Sequence, residues 1–166
     1  ETAIQMARLG ARVIVHGRSP ERVAAAVAEV KTRAGVSWVG EAVADFSSFA
    51  EVRAMAAKIV AEHGALDVLV NNAGTYVRRR AISPDNIELT FQVNHLAPFL
   101  LTHLLVPALE AAAARHPGEP ARVVNVAAGV HLRARIDWTD LHGDRDYDDH
   151  TAFAASFANW DSVPRD

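Results

Sequence analysis

Cysteine is absent from all 166 residues. Without a thiol there is no disulfide, no thiolate nucleophile and no cysteine-ligated metal. That fits a reducing cytoplasm, the expected location, without requiring it. Lysine is nearly absent too: Lys31 and Lys58 stand alone against many arginines and alanines, a bias of codon usage or lineage that carries no function. Neither sign of charge dominates, since 17 basic and 20 acidic side chains leave a net charge of −3. Neither nucleic acid nor an anionic membrane is therefore expected as a partner. The first ten residues lack the basic start and unbroken apolar stretch of a signal peptide. They read as the tail of an amphipathic helix, with Ile4, Met6, Ala7 and Leu9 apolar and Gly10 as its stop. The most apolar region, 96–114, is interrupted by Pro98, His103, Pro107 and Glu110. It makes a poor membrane span and a good buried helix.

What is present is ordinary for one globular domain, residues 1–166, with 50% of the residues hydrophobic and 22% charged. Arg12 to Gly17 is a β-branched run that reads as a strand. Ser19-Pro20-Glu21 then supplies an N-cap, a first-turn proline and an acid, and Gly35 stops the helix they open. A second strand is expected over Val36–Ala44. Ser47 or Ser48 caps a helix with Phe49, Val52, Met55, Ala56 and Ile59 at helical spacing, ending at His63-Gly64. Leu66 to Val70 is a third strand. Ser83-Pro84-Asp85 opens a long helix to about Arg115, bent at Pro98. Arg122 to Val126 is a fourth strand, and a last helix starts at Thr151 and runs to about Trp160. Strand and helix alternate, which predicts an α/β fold with a doubly wound parallel sheet.

Four motifs lie along this pattern: Asn71-Asn72-Ala73-Gly74 after the third strand, Phe91-Gln92-Val93-Asn94-His95-Leu96, Val123-Val124-Asn125-Val126-Ala127-Ala128-Gly129-Val130-His131, and Thr151-Ala152-Phe153-Ala154-Ala155-Ser156-Phe157-Ala158-Asn159. In this order they resemble the short-chain dehydrogenase/reductase family, retinol-dehydrogenase-like branch. Ile136-Asp137-Trp138-Thr139-Asp140-Leu141 resembles that branch's substrate-side stretch. The resemblance implies a Rossmann-like sheet and hydride transfer between NADP(H) and a small-molecule carbonyl or alcohol. It also implies a catalytic unit of Asn, Ser, Tyr and Lys. Asn94 matches the Asn. The Ser position holds Ala128, and the Tyr and Lys positions hold Phe153 and Phe157, none of which can transfer a proton or depress a neighbour's pKa. Tyr147, Ser156 and His131 are the nearby groups able to substitute, and each is a poor fit.

The nucleotide half is better kept. Arg18 after Gly17 replaces the carboxylate that would hold NAD ribose hydroxyls and suits the 2′-phosphate of NADP; it also reads as a surface arginine before a helix cap. By resemblance Asp45 meets the adenine amino group, while its place beside a helix start makes it equally an N-cap residue. Asn71, Asn72, Ala73 and Gly74 let the backbone approach the adenosine and brace the next strand. The family's glycine-rich pyrophosphate turn and the central strand before it would precede Glu1 and are missing. The sheet is then expected either to close the gap by altered pairing or to belong to a fragment that folds poorly alone. After Asn159 the family pattern decays. Three readings follow: a catalytically impaired oxidoreductase, a non-catalytic nucleotide-binding or interaction relative, and a non-functional gene fragment. The acidic run Asp140, His142, Asp144, Asp146, Asp148, Asp149, His150 is no calcium loop, because Asp149 and Ala155 occupy the positions that need Gly and Glu. No metal is expected, and a homo-oligomer is left open.

Overall fold

Local capping chemistry sets the two regular helices of the first half. Ser19 has extended backbone and its side chain accepts from the Arg22 amide at 3.3 Å, Pro20 opens the helix, and Gly35 closes it at φ +72°. Ser48 caps the next helix through the Glu51 amide at 3.4 Å, and Gly64 ends it at φ +70°. The computed structural model describes residues 1–129, 137–145 and 147–156. In chain order the elements are α1 (Thr2–Arg8), β1 (Ile14–Gly17), α2 (Pro20–Ala34), β2 (Gly40–Val43), α3 (Phe49–His63), β3 (Val68–Asn71), α4 (Leu89–Phe91), a π-helical turn (Gln92–Leu96), α5 (Ala97–Arg115), β4 (Arg122–Asn125) and α6 (Asp149–Ala155).

The chain forms two compact units, Glu1–Phe46 and Ser47–Asp166. In the first, β1 pairs in parallel with β2, Ile14 opposite Gly40 and Gly17 opposite Val43. Helix α2 crosses between them, and Ile4, Ala7, Val30 and Val39 form the core. In the second, β3 pairs in parallel with β4, Val68 opposite Arg122 and Asn71 opposite Asn125. Helix α3 packs on α5; Val52, Met55 and Ala56 are buried on one, Leu101, Leu105 and Leu109 on the other. Each unit is thus a parallel βαβ arrangement, and the strands form two two-stranded sheets. This is an α/β, partial Rossmann-like fold. Residues 89–115 make one continuous helix, long and apolar enough by composition to cross a membrane. Seven residues of its α5 portion, Leu105 and Ala108 among them, are buried within the protein, while Phe99 and Val106 are exposed.

Three expected boundaries move. The long helix starts at Leu89, not at Ser83. Asn86 sits at φ +62°, a left-handed conformation that a right-handed helix cannot continue through. Ser83 Oγ accepts from the Asp85 and Ile87 amides at 3.2 Å, closing a turn. Asp85 serves a different helix, since its Oδ2 accepts from Phe49 N at the start of α3 at 2.7 Å. The second strand covers only Gly40–Val43. Trp38 lies outside it, with Arg12 stacked over the indole 4.2 Å from its centroid. The irregularity expected at Pro98 is instead the π-helical turn just before it, and Pro98, inside the continuous helix, has no amide hydrogen to donate back to that turn.

Candidate active site

In parallel α/β sheets the carboxyl ends of the strands face the ligand, and Arg18, Asp45 and Asn71–Gly74 lie at such ends. In the first unit Gly17 ends β1 and Arg18 follows it, exposed; Asp45 follows β2, half-buried. A Cβ on Gly17 would lie 2.9 Å from Val23 Cγ2, so only glycine lets α2 run this close to the strand end. The two strand ends are fastened by a residue that sequence reasoning missed. His16 Nε2 lies 3.1 Å from the Ala44 carbonyl, and its ring stacks on Phe46 with centroids 4.4 Å apart. A carbonyl can only accept, so Nε2 carries the proton and donates it. Burial pushes the His16 pKa below the ordinary 6.5, outweighing the bond to Ala44. The only signal in the sequence is a histidine interrupting a β-branched run.

The folded chain therefore binds fewer protons at His16 than the unfolded chain does. His95, pushed down by burial in the same direction, adds to this. Stability is expected to be full above pH 6.5 and to fall as the pH drops below it, by at most about 1.4 kcal/mol per pH unit for each histidine. Denaturant unfolding at pH 7.5 and 5.5 measures the drop. His16→Gln, which keeps a donor for Ala44 but cannot titrate, is expected to shrink it.

In the second unit Asn71 ends β3. Its Nδ2 donates to Asn125 Oδ1 at 2.8 Å, across the pair it makes with β4, and to Thr102 Oγ1 of α5 at 3.0 Å. Among the described residues Asn71 Oδ1 is buried with no hydrogen-bond partner. Asn72, Ala73 and Gly74 carry the chain outward to Thr75. There Asn94, 8% exposed in the middle of the π-helical turn, acts as a substitute peptide. Its Oδ1 accepts from Thr75 N at 2.7 Å, and its Nδ2 donates to Thr75 O at 2.9 Å and to Ser156 Oγ at 2.9 Å. Ser156, 1% exposed, donates in turn to the Phe153 carbonyl at 2.7 Å. The structure thus joins the Asn71–Gly74 loop, Asn94 and the Phe153 helix in one hydrogen-bonded cluster. A π-helical turn widens the helix by one residue, and this one places Asn94 between loop and helix.

The Phe153 ring meets Tyr76 edge-on, centroids 5.2 Å apart at 85°. Tyr76 Oη donates to Asp149 Oδ2 at 2.7 Å. The segment 137–149 is strapped to residues 75–91 by further bonds. Tyr147 Oη donates to the Val77 carbonyl at 2.9 Å, Arg80 binds the Asp144 carboxylate and donates to the His142 carbonyl, and the Glu88 amide donates to His142 Nδ1 at 3.3 Å. Glu88, 2% exposed, caps α4 by accepting from Thr90 N and Phe91 N at 2.9 and 2.7 Å. The acidic run folds its own loop. Asp137 accepts from Thr139, which lowers its pKa; Asp140 accepts from the Asp144 and Arg145 amides, the first of which lowers its pKa most; and Asp148 caps Thr151. Among the described residues no group of three His, Asp or Glu side chains is placed to hold a metal.

Both phenols are raised above their usual pKa, Tyr76 chiefly by its bond to Asp149 and Tyr147 chiefly by burial. At neutral pH they are hydrogen-bond donors. Ala128 lies half-buried past the end of β4, and neither it nor Phe153 presents a polar side-chain atom. Phe157, His131, Ile136 and Asp146 lie outside the described residues.

A family model described as short chain dehydrogenase matches residues 1–139. Bovine dehydrogenase/reductase SDR family member 13 is 41% identical over 140 residues, which are 84% of this chain and 35% of that protein. Human retinol dehydrogenase 13 is 34% identical over 157 residues, 94% of this chain and 46% of that protein. The crystal structure of a metagenomic short-chain oxidoreductase in complex with NADP superposes with a TM-score of 0.67 at 28% identity, covering 94% of this chain and 63% of that one. The chain spans less than half the length of these two curated relatives. With the motifs in family order on a family fold, the chain belongs to the short-chain dehydrogenase/reductase family, in its retinol-dehydrogenase-like branch.

Proposed function

We propose that this chain binds NADP(H) and derives from hydride transfer between that cofactor and a small-molecule carbonyl or alcohol, with the family's proton-transfer unit disabled. The observation that carries this is the Asn94 cluster: the family's Asn stands in a π-helical turn, bonded to the loop that follows Asn71–Gly74 and to the helix of Phe153. In the first unit the residues at the ends of β1 and β2 suit a phosphorylated adenosine. A Cβ on Gly17 would crowd Val23, and Arg18 follows it, exposed, with a charge that suits a 2′-phosphate. In the first unit Asp45 would meet the adenine amino group. Bound, the nicotinamide would supply the hydride acceptor or donor. Asn94 would hold the site's shape, while Ala128 and Phe153 move no proton. A non-catalytic nucleotide binder is the second reading, favoured by the complete engagement of the Asn94 amide with Thr75 and Ser156. A small-molecule partner and a cytoplasmic location belong to the first reading.

The test is a thermal melt with and without millimolar NADPH. A native-state ligand adds stability through mass action, so an upward shift is expected, with a smaller one for NADH. Arg18→Ala should weaken NADPH binding about tenfold or more, as loss of a charge-assisted phosphate contact does, and should leave NADH binding nearly unchanged. A melt indifferent to either nucleotide would refute the proposal.

A further inference from the structure

We propose that Tyr76 and Asp149 form a proton relay that stands in for the phenol missing at Phe153. This rests on the oxidoreductase reading above. Asp149 and Phe153 are four residues apart on α6, one turn apart on the same face. Tyr76 spans both, its ring against Phe153 and its hydroxyl on Asp149. That hydroxyl therefore lies within about one helical turn of the ring that replaces the family's tyrosine. The loop carrying it is anchored, because Asn94 holds the Thr75 peptide on both its N–H and its C=O and ties it to α6 through Ser156. Tyr76 is 41% exposed. The other phenol, Tyr147, is directed to Val77 and Glu88, and the Ser156 hydroxyl is buried between Asn94 and Phe153.

The relay balances as alcohol oxidation. The carbinol C–H bond breaks and its electron pair leaves as hydride to an oxidised nicotinamide nucleotide. The alcohol O–H proton passes to Tyr76 Oη as the Tyr76 proton passes to Asp149 Oδ2, the C=O bond forms, and Asp149 releases the proton to solvent. Tyr76 never accumulates as free tyrosinate. Its raised pKa beside the carboxylate is therefore no obstacle, as it would be for a lone tyrosine base. Arg78, whose charge acts on the Tyr76 phenol against that of Asp149, favours the transient negative charge.

The chain has two tyrosines, so each phenol can be followed alone. In Tyr147→Phe, absorbance at 295 nm reports Tyr76. Its titration is expected above that of free tyrosine, about 10, and lower in Tyr147→Phe/Asp149→Asn; an unmoved titration would overturn the dyad whether or not cofactor binds. Turnover is read with the full chain, NADP⁺ and all-trans-retinol as probe, following retinal by chromatography. Tyr76→Phe and Asp149→Asn are each expected to slow the reaction about 100-fold, mainly in kcat, with the NADPH melt shift kept. Turnover indifferent to Tyr76→Phe, or a bound nucleotide with no turnover in the wild type, overturns the relay and leaves cofactor binding standing. Absence of nucleotide binding refutes the underlying reading instead.

Discussion

Ala128→Ser, Phe153→Tyr and Phe157→Lys combined are expected to raise the rate of NADP(H)-linked turnover at least about 10³-fold over any of the three alone. Ser, Tyr and Lys act as one unit in the family, and members of such a unit are grossly non-additive: removing one costs nearly as much as removing all. Read in reverse, restoring one restores little. Phe153→Tyr alone places a phenol on α6 without the cation that lowers its pKa or the hydroxyl that orients the substrate oxygen. It also sets a second phenol against the Tyr76 ring. Ser156 precedes Phe157 in the sequence, and its bonds hold α6 to Asn94. Single-turnover assays of the singles, the doubles and the triple with all-trans-retinol and NADP⁺ give the couplings. Additive gains would show that the three positions no longer converge.

Asn94→Ala is expected to cost about 3 kcal/mol of stability in the second unit, enough to make the 89–115 helix and α6 unfold at much lower denaturant. The amide is buried and makes three hydrogen bonds. Truncation leaves the Thr75 N–H, the Thr75 C=O and the Ser156 hydroxyl short of a partner, and an unmet buried polar group costs roughly 1–3 kcal/mol. Asn94→Asp tests the origin of the loss. A carboxylate still accepts from Thr75 N but cannot donate to Thr75 O or Ser156 Oγ, so it should destabilise about as much despite its near-identical shape. Equilibrium urea unfolding of the three proteins decides this. A variant within about 0.5 kcal/mol of wild type would show that the cluster does not hold the unit together.

How much of this was legible in the amino-acid order depends on how local the physics is. Helices α2 and α3 could be read because Ser19, Pro20, Gly35, Ser48 and Gly64 act on their own neighbours. The parallel α/β class followed from alternation, and the family from motif order. Ser83-Pro84-Asp85 carries the same local signature as a helix start and misled, because Asp85 answers to Phe49 and Gln92, partners in other elements. Asn94 was found by spacing, yet its role as a clamp was not, since Ser156 lies 62 residues away. Tyr76 gave no signal at all: Asp149, the group that gives it meaning, is 73 residues downstream. Residues whose function is set by caps were visible; those set by tertiary contact were not.

The π-helical turn at Gln92–Leu96 also fixes what kind of genetic change the site can tolerate. One extra residue is lodged there, and the turn widens to hold it. Deleting any single residue of the five would let the segment relax into an ordinary α-helix that keeps α4 and α5 in phase and removes the widened turn that carries Asn94. Asn94 would then lose its aim at Thr75. Substitutions on the exposed side of this helix should be absorbed individually, whereas a one-codon deletion inside it acts on the whole lineage of contacts at once. Length here is inherited more strictly than composition.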